Sequence, residues 1–157
     1  VKPENVHLTL KFLGDIDPGN VENISSTMKA ASAKSAPFSL TATGIGVFPN
    51  MKRARVLWAG LTEGVAELID LQKELDAALV SCGFKREKRP FRGHLTLARF
   101  RDRMNPARLE SALKDAGGAH VGQWSVEELI LFKSDLRPTG PKYEKLAVHA
   151  LALNSQG

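Results

Sequence analysis

The chain has 157 residues, 43% of them apolar and 25% charged, which suits one globular domain and excludes whole-chain disorder. Twenty-two Lys and Arg face 17 Asp and Glu, a net charge of +5. The single cysteine, Cys82, excludes an intramolecular disulfide and fits a reducing, cytoplasmic compartment. No apolar run reaches the roughly 18 residues of a membrane span, so no membrane partner is expected, and the residues around Val1 and Asn5 carry no signal-peptide core.

In chain order, Val6 to Phe12 alternates apolar and polar residues and predicts a strand that Gly14 ends. Asp17-Pro18 looks like a helix cap followed by proline at the first helical position. A helix over residues 18–34 should follow, with Val21, Ile24 and Met28 on one face. Phe38 to Thr43 alternates again, Gly44 and Gly46 punctuate it, and Pro49-Asn50 marks a turn. Arg55 to Leu61 is the next strand. Gly64 to Cys82 is the clearest helix, with Val65, Leu68, Ile69, Leu75 and Leu79 near helical spacing and Gly83 as its stop.

His94 to Phe100 predicts a strand, and Asn105-Pro106 opens a helix that ends near Ala116 before Gly117-Gly118. Trp124 to Phe132 puts Trp124, Val126, Ile130 and Phe132 on one face of a long strand. Lys142 to Leu153 is the last strand. The order β-α-β-β-α-β-α-β-β lacks strict βαβ alternation, which predicts an α+β fold with largely antiparallel sheets.

The positive charge is local. Between Lys85 and Arg103 stand Lys85, Arg86, Lys88, Arg89, Arg92, Arg99, Arg101 and Arg103 against only Glu87 and Asp102, or +6, and Lys52, Arg53 and Arg55 form a second cluster. Clustered positive charge attracts phosphates, although such a run is equally often a solvated face of an ordinary enzyme.

One tetrapeptide occurs twice, as His7-Leu8-Thr9-Leu10 and His94-Leu95-Thr96-Leu97. By chance a repeat containing the scarce residue His arises on the order of once in a hundred to a thousand chains. In a strand, residues i and i+2 share a face. His7 would then pair with Thr9 and His94 with Thr96, while the leucines turn to apolar packing.

Two such strands side by side would give a two-fold-like set of two imidazoles and two hydroxyls. That set suits in-line displacement at phosphorus. One neutral imidazole takes a proton from water, and one protonated imidazole gives a proton to the leaving oxygen. The hydroxyls donate to the non-bridging oxygens, and a nearby Arg stabilises the developing charge.

A lone histidine on a strand is more often structural than catalytic, but packing gives no reason to repeat both His and Thr. Two histidines without a Cys or carboxylate partner make a poor zinc set, and no metal is needed for the scheme. No Gly-x-Ser-x-Gly elbow, Walker loop or Gly-x-Gly-x-x-Gly loop is present. Cys82, His120 and His149 read as structural or solvent-facing.

These residues resemble the 2H phosphoesterase superfamily, whose mark is two His-x-Thr/Ser-x motifs. The run from Pro3 to Gly14 is similar to the first motif of the RNA 2′,3′-cyclic phosphodiesterases, also called 2′-5′ RNA ligases. The run from Arg89 to Arg99 is similar to their second motif. Gly46-Val47-Phe48-Pro49, Arg55 to Gly60, and Gly140 to Tyr143 with Leu146 resemble the segments between and after.

The resemblance implies a bilobal α+β fold over residues 1–157, with two antiparallel sheets, outer helices, pseudo-two-fold symmetry and a basic central cleft. It implies no metal and no nucleotide cofactor. It implies hydrolysis of RNA 2′,3′-cyclic phosphate ends to 2′-phosphate, with reversible 2′-5′ joining of RNA ends. RNA carrying such ends, tRNA fragments among them, is the implied partner.

His7 and His94 match the family's catalytic positions, and Thr9 and Thr96 its substrate-binding ones. Arg99 matches a position facing the phosphate. Phe48 either stacks on a base or serves as a core aromatic. Members carry a strand and a helix ahead of the first motif, and the expectation is that this chain lacks them. A monomer is the default at this size. The alternatives are a phosphodiesterase for 2′,5′-oligoadenylate or small cyclic nucleotides, and a non-catalytic RNA- or nucleotide-binding module.

Overall fold

The computed structural model describes residues 5–152. Pro3 and Glu4 of the first motif's surroundings, and Leu153 at the expected end of the last strand, lie outside the described residues.

The fold is α+β, with two antiparallel sheets. A 3-10 turn at Pro18–Asn20 leads into α1 (Val21–Ser32), and the Asp17 carboxylate accepts from the Gly19 N–H at 2.7 Å, as a cap should. β1 (Phe38–Phe48) and β2 (Val56–Glu63) form a hairpin, followed by α2 (Val65–Ala78). A 3-10 turn, Leu79–Cys82, closes α2 on Gly83, whose φ of 90° is the left-handed conformation that glycine adopts freely. Then come β3 (Leu95–Arg99), α3 (Pro106–Asp115), β4 (His120–Val126), β5 (Glu128–Arg137) and β6 (Gly140–Ala150).

One sheet has the order β3-β2-β1-β4, and the other pairs β5 with β6. Two units result. The first holds Val1–Leu10, Ser39–Ala66 and Arg92–Trp124, and the second Lys11–Phe38, Glu67–Phe91 and Ser125–Gly157.

In the first unit, Ala42, Ala59 and Leu95 are buried on one sheet face, with Leu8, Ile45, Leu61, Leu97 and Trp124 packed around them. In the second unit, Ile24, Met28 and Ala31 of α1, Leu68, Leu71 and Leu75 of α2, and Leu129 and Leu131 of β5 are buried. Burying a leucine of this kind contributes about 2 kcal/mol.

Three expectations need correction. Val6 to Phe12 forms no strand among the described residues, because alternation makes a strand only where a neighbouring ladder accepts its backbone bonds. The strand expected over 38–43 runs on to Phe48, since irregular register around Thr41, Ala42 and Ile45 absorbs the Gly44 break. The long strand expected from Trp124 to Phe132 is two strands broken at Glu127, whose carbonyl accepts from the Leu151 N–H at 2.8 Å. The buried side of β5 is Leu129 and Leu131, out of phase with Ile130 and Phe132.

Candidate active site

Both histidines, both threonines, Phe48 and Arg99 belong to the first unit. The two imidazoles are held in the same local way. His7 Nδ1 lies 2.7 Å from the carbonyl oxygen of Asn5, and His94 Nδ1 lies 3.2 Å from that of Arg92. A carbonyl only accepts, so each Nδ1 carries the proton and donates it. Nε2 is then the unprotonated ring nitrogen of each neutral imidazole. The leucines that follow, Leu8 and Leu95, pack into one apolar cluster. Both His-Leu steps are thereby anchored on the same core.

The second motif enters β3 on the edge of its sheet. Leu95 stands opposite Ala59, Thr96 opposite Trp58, Ala98 opposite Leu57 and Arg99 opposite Val56. Between Trp58 and Leu57 the register shifts, so that the step from Thr96 to Ala98 on β3 answers a single step on β2. In a regular strand Thr96 and Arg99, three apart, would face opposite sides. The extra residue brings Arg99 round to the side of Thr96, since Val56 and Trp58 alternate on one face of β2.

Phe48 stands opposite Val56 on the other flank of β2 and so shares that face. Its ring stacks on Trp58 at 5.2 Å and meets His94 edge-on at 5.4 Å. It is 42% exposed, so it is not a core aromatic.

Gly46 makes this arrangement possible. It pairs with Trp58, and a Cβ on Gly46 would lie 2.4 Å from the indole Cζ2. The indole therefore lies over bare β1 backbone and becomes the floor on which Phe48 rests. The Trp58 Nε1–H is buried with no hydrogen-bond partner among the described residues. Sequence reasoning gave Gly46 and Trp58 no role at the site and did not foresee the bulge at Leu97, although a glycine two residues before Phe48 was a signal for close approach.

A further group lies in the second unit. Asp76 of α2 is 4% exposed and receives Lys11, the Glu87 N–H at 3.1 Å and Arg86 at 3.5 Å. Lys11 Nζ also donates to the Lys85 carbonyl at 2.8 Å. Burial alone would raise the Asp76 pKa. The bonds from Lys11 and the Glu87 N–H, with the Lys11 charge and Arg86, outweigh it and hold the carboxyl below its usual range. Lys11 follows the first tetrapeptide directly, and residues 85–87 lead towards the second.

Of the remaining histidines and the cysteine, His120 belongs to the first unit and His149 and Cys82 to the second. His120 is exposed, and His149 Nε2 lies 2.9 Å from the Ser25 hydroxyl. Cys82 is half-buried beside the Thr27 hydroxyl at 3.2 Å. Among the described residues no three His, Cys, Asp or Glu converge as a metal set, and no helix is long and apolar enough to cross a membrane.

Residues 2–138 match the family model described as the 2′-5′ RNA ligase superfamily. The chain is 36% identical over 151 residues to a Methanothermobacter thermautotrophicus protein named RNA 2′,3′-cyclic phosphodiesterase, an alignment that covers 96% of this chain and 81% of that protein. A crystal structure of a Thermus thermophilus protein superposes with a TM-score of 0.79 at 28% identity, over 98% of this chain and 82% of that one. E. coli LigT complexed with 3′-AMP superposes with a TM-score of 0.68 at 25% identity, over 96% of this chain and 79% of that one.

Proposed function

The chain belongs to the 2′-5′ RNA ligase superfamily, and from that premise we propose that it opens RNA 2′,3′-cyclic phosphate ends by two-histidine acid–base catalysis. The observation that carries the mechanism is the twin Nδ1 bond of His7 and His94. It supports one tautomer for both rings, with the proton on Nδ1 and Nε2 as the second ring nitrogen of each.

Water attacks the cyclic phosphorus. One imidazole Nε2 takes the proton of the attacking water, and the other, protonated, gives its proton to O3′ as the P–O3′ bond breaks. The products are a 2′-phosphate and a free 3′-hydroxyl. If the 5′-hydroxyl of a second RNA attacks instead, the same proton transfers give a 2′-5′ joint, and the step is reversible.

Thr9 and Thr96 donate to the non-bridging oxygens. Arg99, turned to the face of Thr96 by the Leu97 bulge, offers its guanidinium to the charge that develops there. Phe48 presents an exposed ring beside His94 on which the terminal base stacks. E. coli LigT, a fold neighbour, is solved in complex with a nucleotide, 3′-AMP.

The test is an RNA oligonucleotide ending in a 2′,3′-cyclic phosphate, incubated with the protein in excess EDTA, with identification of the product end. A 2′-phosphate made by the wild type and not by His94→Ala is the expected result. A 3′-phosphate, or no turnover, refutes the scheme.

A further inference from the structure

The two tetrapeptides are identical but unequally supported, and the residue that follows each one differs. β3 ties Leu95, Thr96, Ala98 and Arg99 to β2, whereas residues 6–11 enter no strand among the described residues. The first motif has other holds. The His7 ring bonds to the Asn5 carbonyl, and Leu8 packs into the apolar cluster. Three residues on, the Lys11 side chain is 11% exposed. Its ammonium donates to the Asp76 carboxylate and, at 2.8 Å, to the Lys85 carbonyl. The repeat puts Ala98 where Lys11 stands, and Ala98 is held by its ladder partner Leu57 instead.

Stability alone does not explain this lysine. The pair is nearly dry, with 6% of the Asp76 side chain exposed. Such a pair often stabilises a fold no better than apolar side chains of the same size. What it supplies is direction, because one ammonium must meet two acceptors at once. Those acceptors are themselves fixed. Asp76 stands in α2 next to the buried Leu75, and its carboxylate also receives the Glu87 N–H at 3.1 Å.

We propose that Lys11 is a positioning residue, and that its ammonium, seated on Asp76, sets where His7 and Thr9 stand in the reaction. This rests on the reading of the site given above. Leu8 is fixed by packing and Lys11 by its two acceptors, and Thr9 and Leu10 are all the chain between them. A hydroxyl held from both ends in this way keeps its place without a strand ladder. The chemistry is sensitive to such placement, since a shift of about 1 Å in an oriented group can cost about a hundredfold in rate.

The experiment measures kcat and KM on a short RNA ending in a 2′,3′-cyclic phosphate. The variants are Lys11→Met and Lys11→Met/Asp76→Asn, with Lys34→Met as a control that breaks the exposed pair of Lys34 with Glu74 of the same helix. The double variant buries no unpaired charge and keeps an acceptor for the Glu87 N–H, so it should melt closer to the wild type than Lys11→Met does. The expected result is a kcat lower by about tenfold to a hundredfold in both Lys11 variants, with KM within about threefold of the wild type. Lys34→Met should behave as the wild type. In proton–carbon correlation spectra, the His7 ring and Thr9 methyl signals should move in the Lys11 variants, while those of His94 and Thr96 hold.

A kcat that returns with the melting temperature in the double variant overturns the proposal, because a purely structural role predicts that recovery. An equal loss in Lys34→Met overturns it too, as do first-motif signals that stay in place or signals that move alike in both motifs. If Lys11→Met does not fold, the double variant carries the same measurements with the same outcomes. If the wild type turns over no RNA, the reading of the site fails, and the spectra alone decide. Movement confined to His7 and Thr9 then supports the positioning role, and any other pattern overturns it.

Discussion

His7-Leu8-Thr9-Leu10 and His94-Leu95-Thr96-Leu97 are the same four residues in two settings. The first lies on chain with no strand ladder among the described residues, whereas the second runs into β3 and bonds to β2 from Ala59 to Val56. Yet both rings donate from Nδ1 to the carbonyl two residues back, and both following leucines sink into one apolar cluster. The tautomer and the anchor therefore come from contacts local to the tetrapeptide. What differs is the support beyond it. The second motif has a sheet edge, an aromatic floor and a bulge, and the first is followed at once by Lys11, tied to the buried Asp76.

Three substitutions sharpen that contrast. Asp76→Asn should cost the most, about 3 kcal/mol or more, because it leaves Lys11 nearly buried without its counter-charge. A denaturant melt at neutral pH measures it, and Asp76→Glu should recover part of the loss. The carboxyl's pKa is lowered in the folded protein, so its contribution is present above the ordinary carboxylate value of about 4 and is lost as pH falls through the lower folded value. Melting temperature should therefore fall more steeply on acidification below about pH 4 in the wild type than in Asp76→Asn.

Gly46→Ala strikes only the second motif's floor. Its methyl group would overlap the Trp58 ring, and we expect a loss of about 1–3 kcal/mol with kcat/KM falling as Phe48 and His94 lose their seat. Calorimetry and kinetics on the same preparation check both parts. Trp58→Phe should be the mildest, within about 1 kcal/mol by thermal melt, since it keeps a ring under Phe48 and removes an indole N–H that has no hydrogen-bond partner among the described residues.

Most helices were legible because their signals are local. Asp17-Pro18 and Asn105-Pro106 both cap and start helical chain where expected, and Gly83 ends α2. Strands were less legible, because a strand needs a partner that alternation does not name. Val6 to Phe12 has the pattern and no ladder, and Trp124 to Phe132 has one apparent face but changes sheets at Glu127. The repeated His and Thr stood out in the sequence for the opposite reason: the site is written in short contiguous motifs.

What surrounds the motifs was hidden by distance along the chain. Trp58 meets Thr96 across a ladder, Gly46 matters only beneath Trp58, and the bulge that turns Arg99 is a property of pairing. Asp76 carries no motif in the sequence, and Lys11 and the Glu87 backbone meet it only in the fold.

The measurement that bears most directly on the account is kcat/KM on cyclic-phosphate RNA for the wild type, His7→Ala, His94→Ala and the double variant. Two groups sharing one displacement should each cost about a hundredfold to ten-thousandfold, and the double variant little more than either. A single variant that stays within about tenfold of the wild type would contradict the pairing, because general acid and general base are each worth more than that.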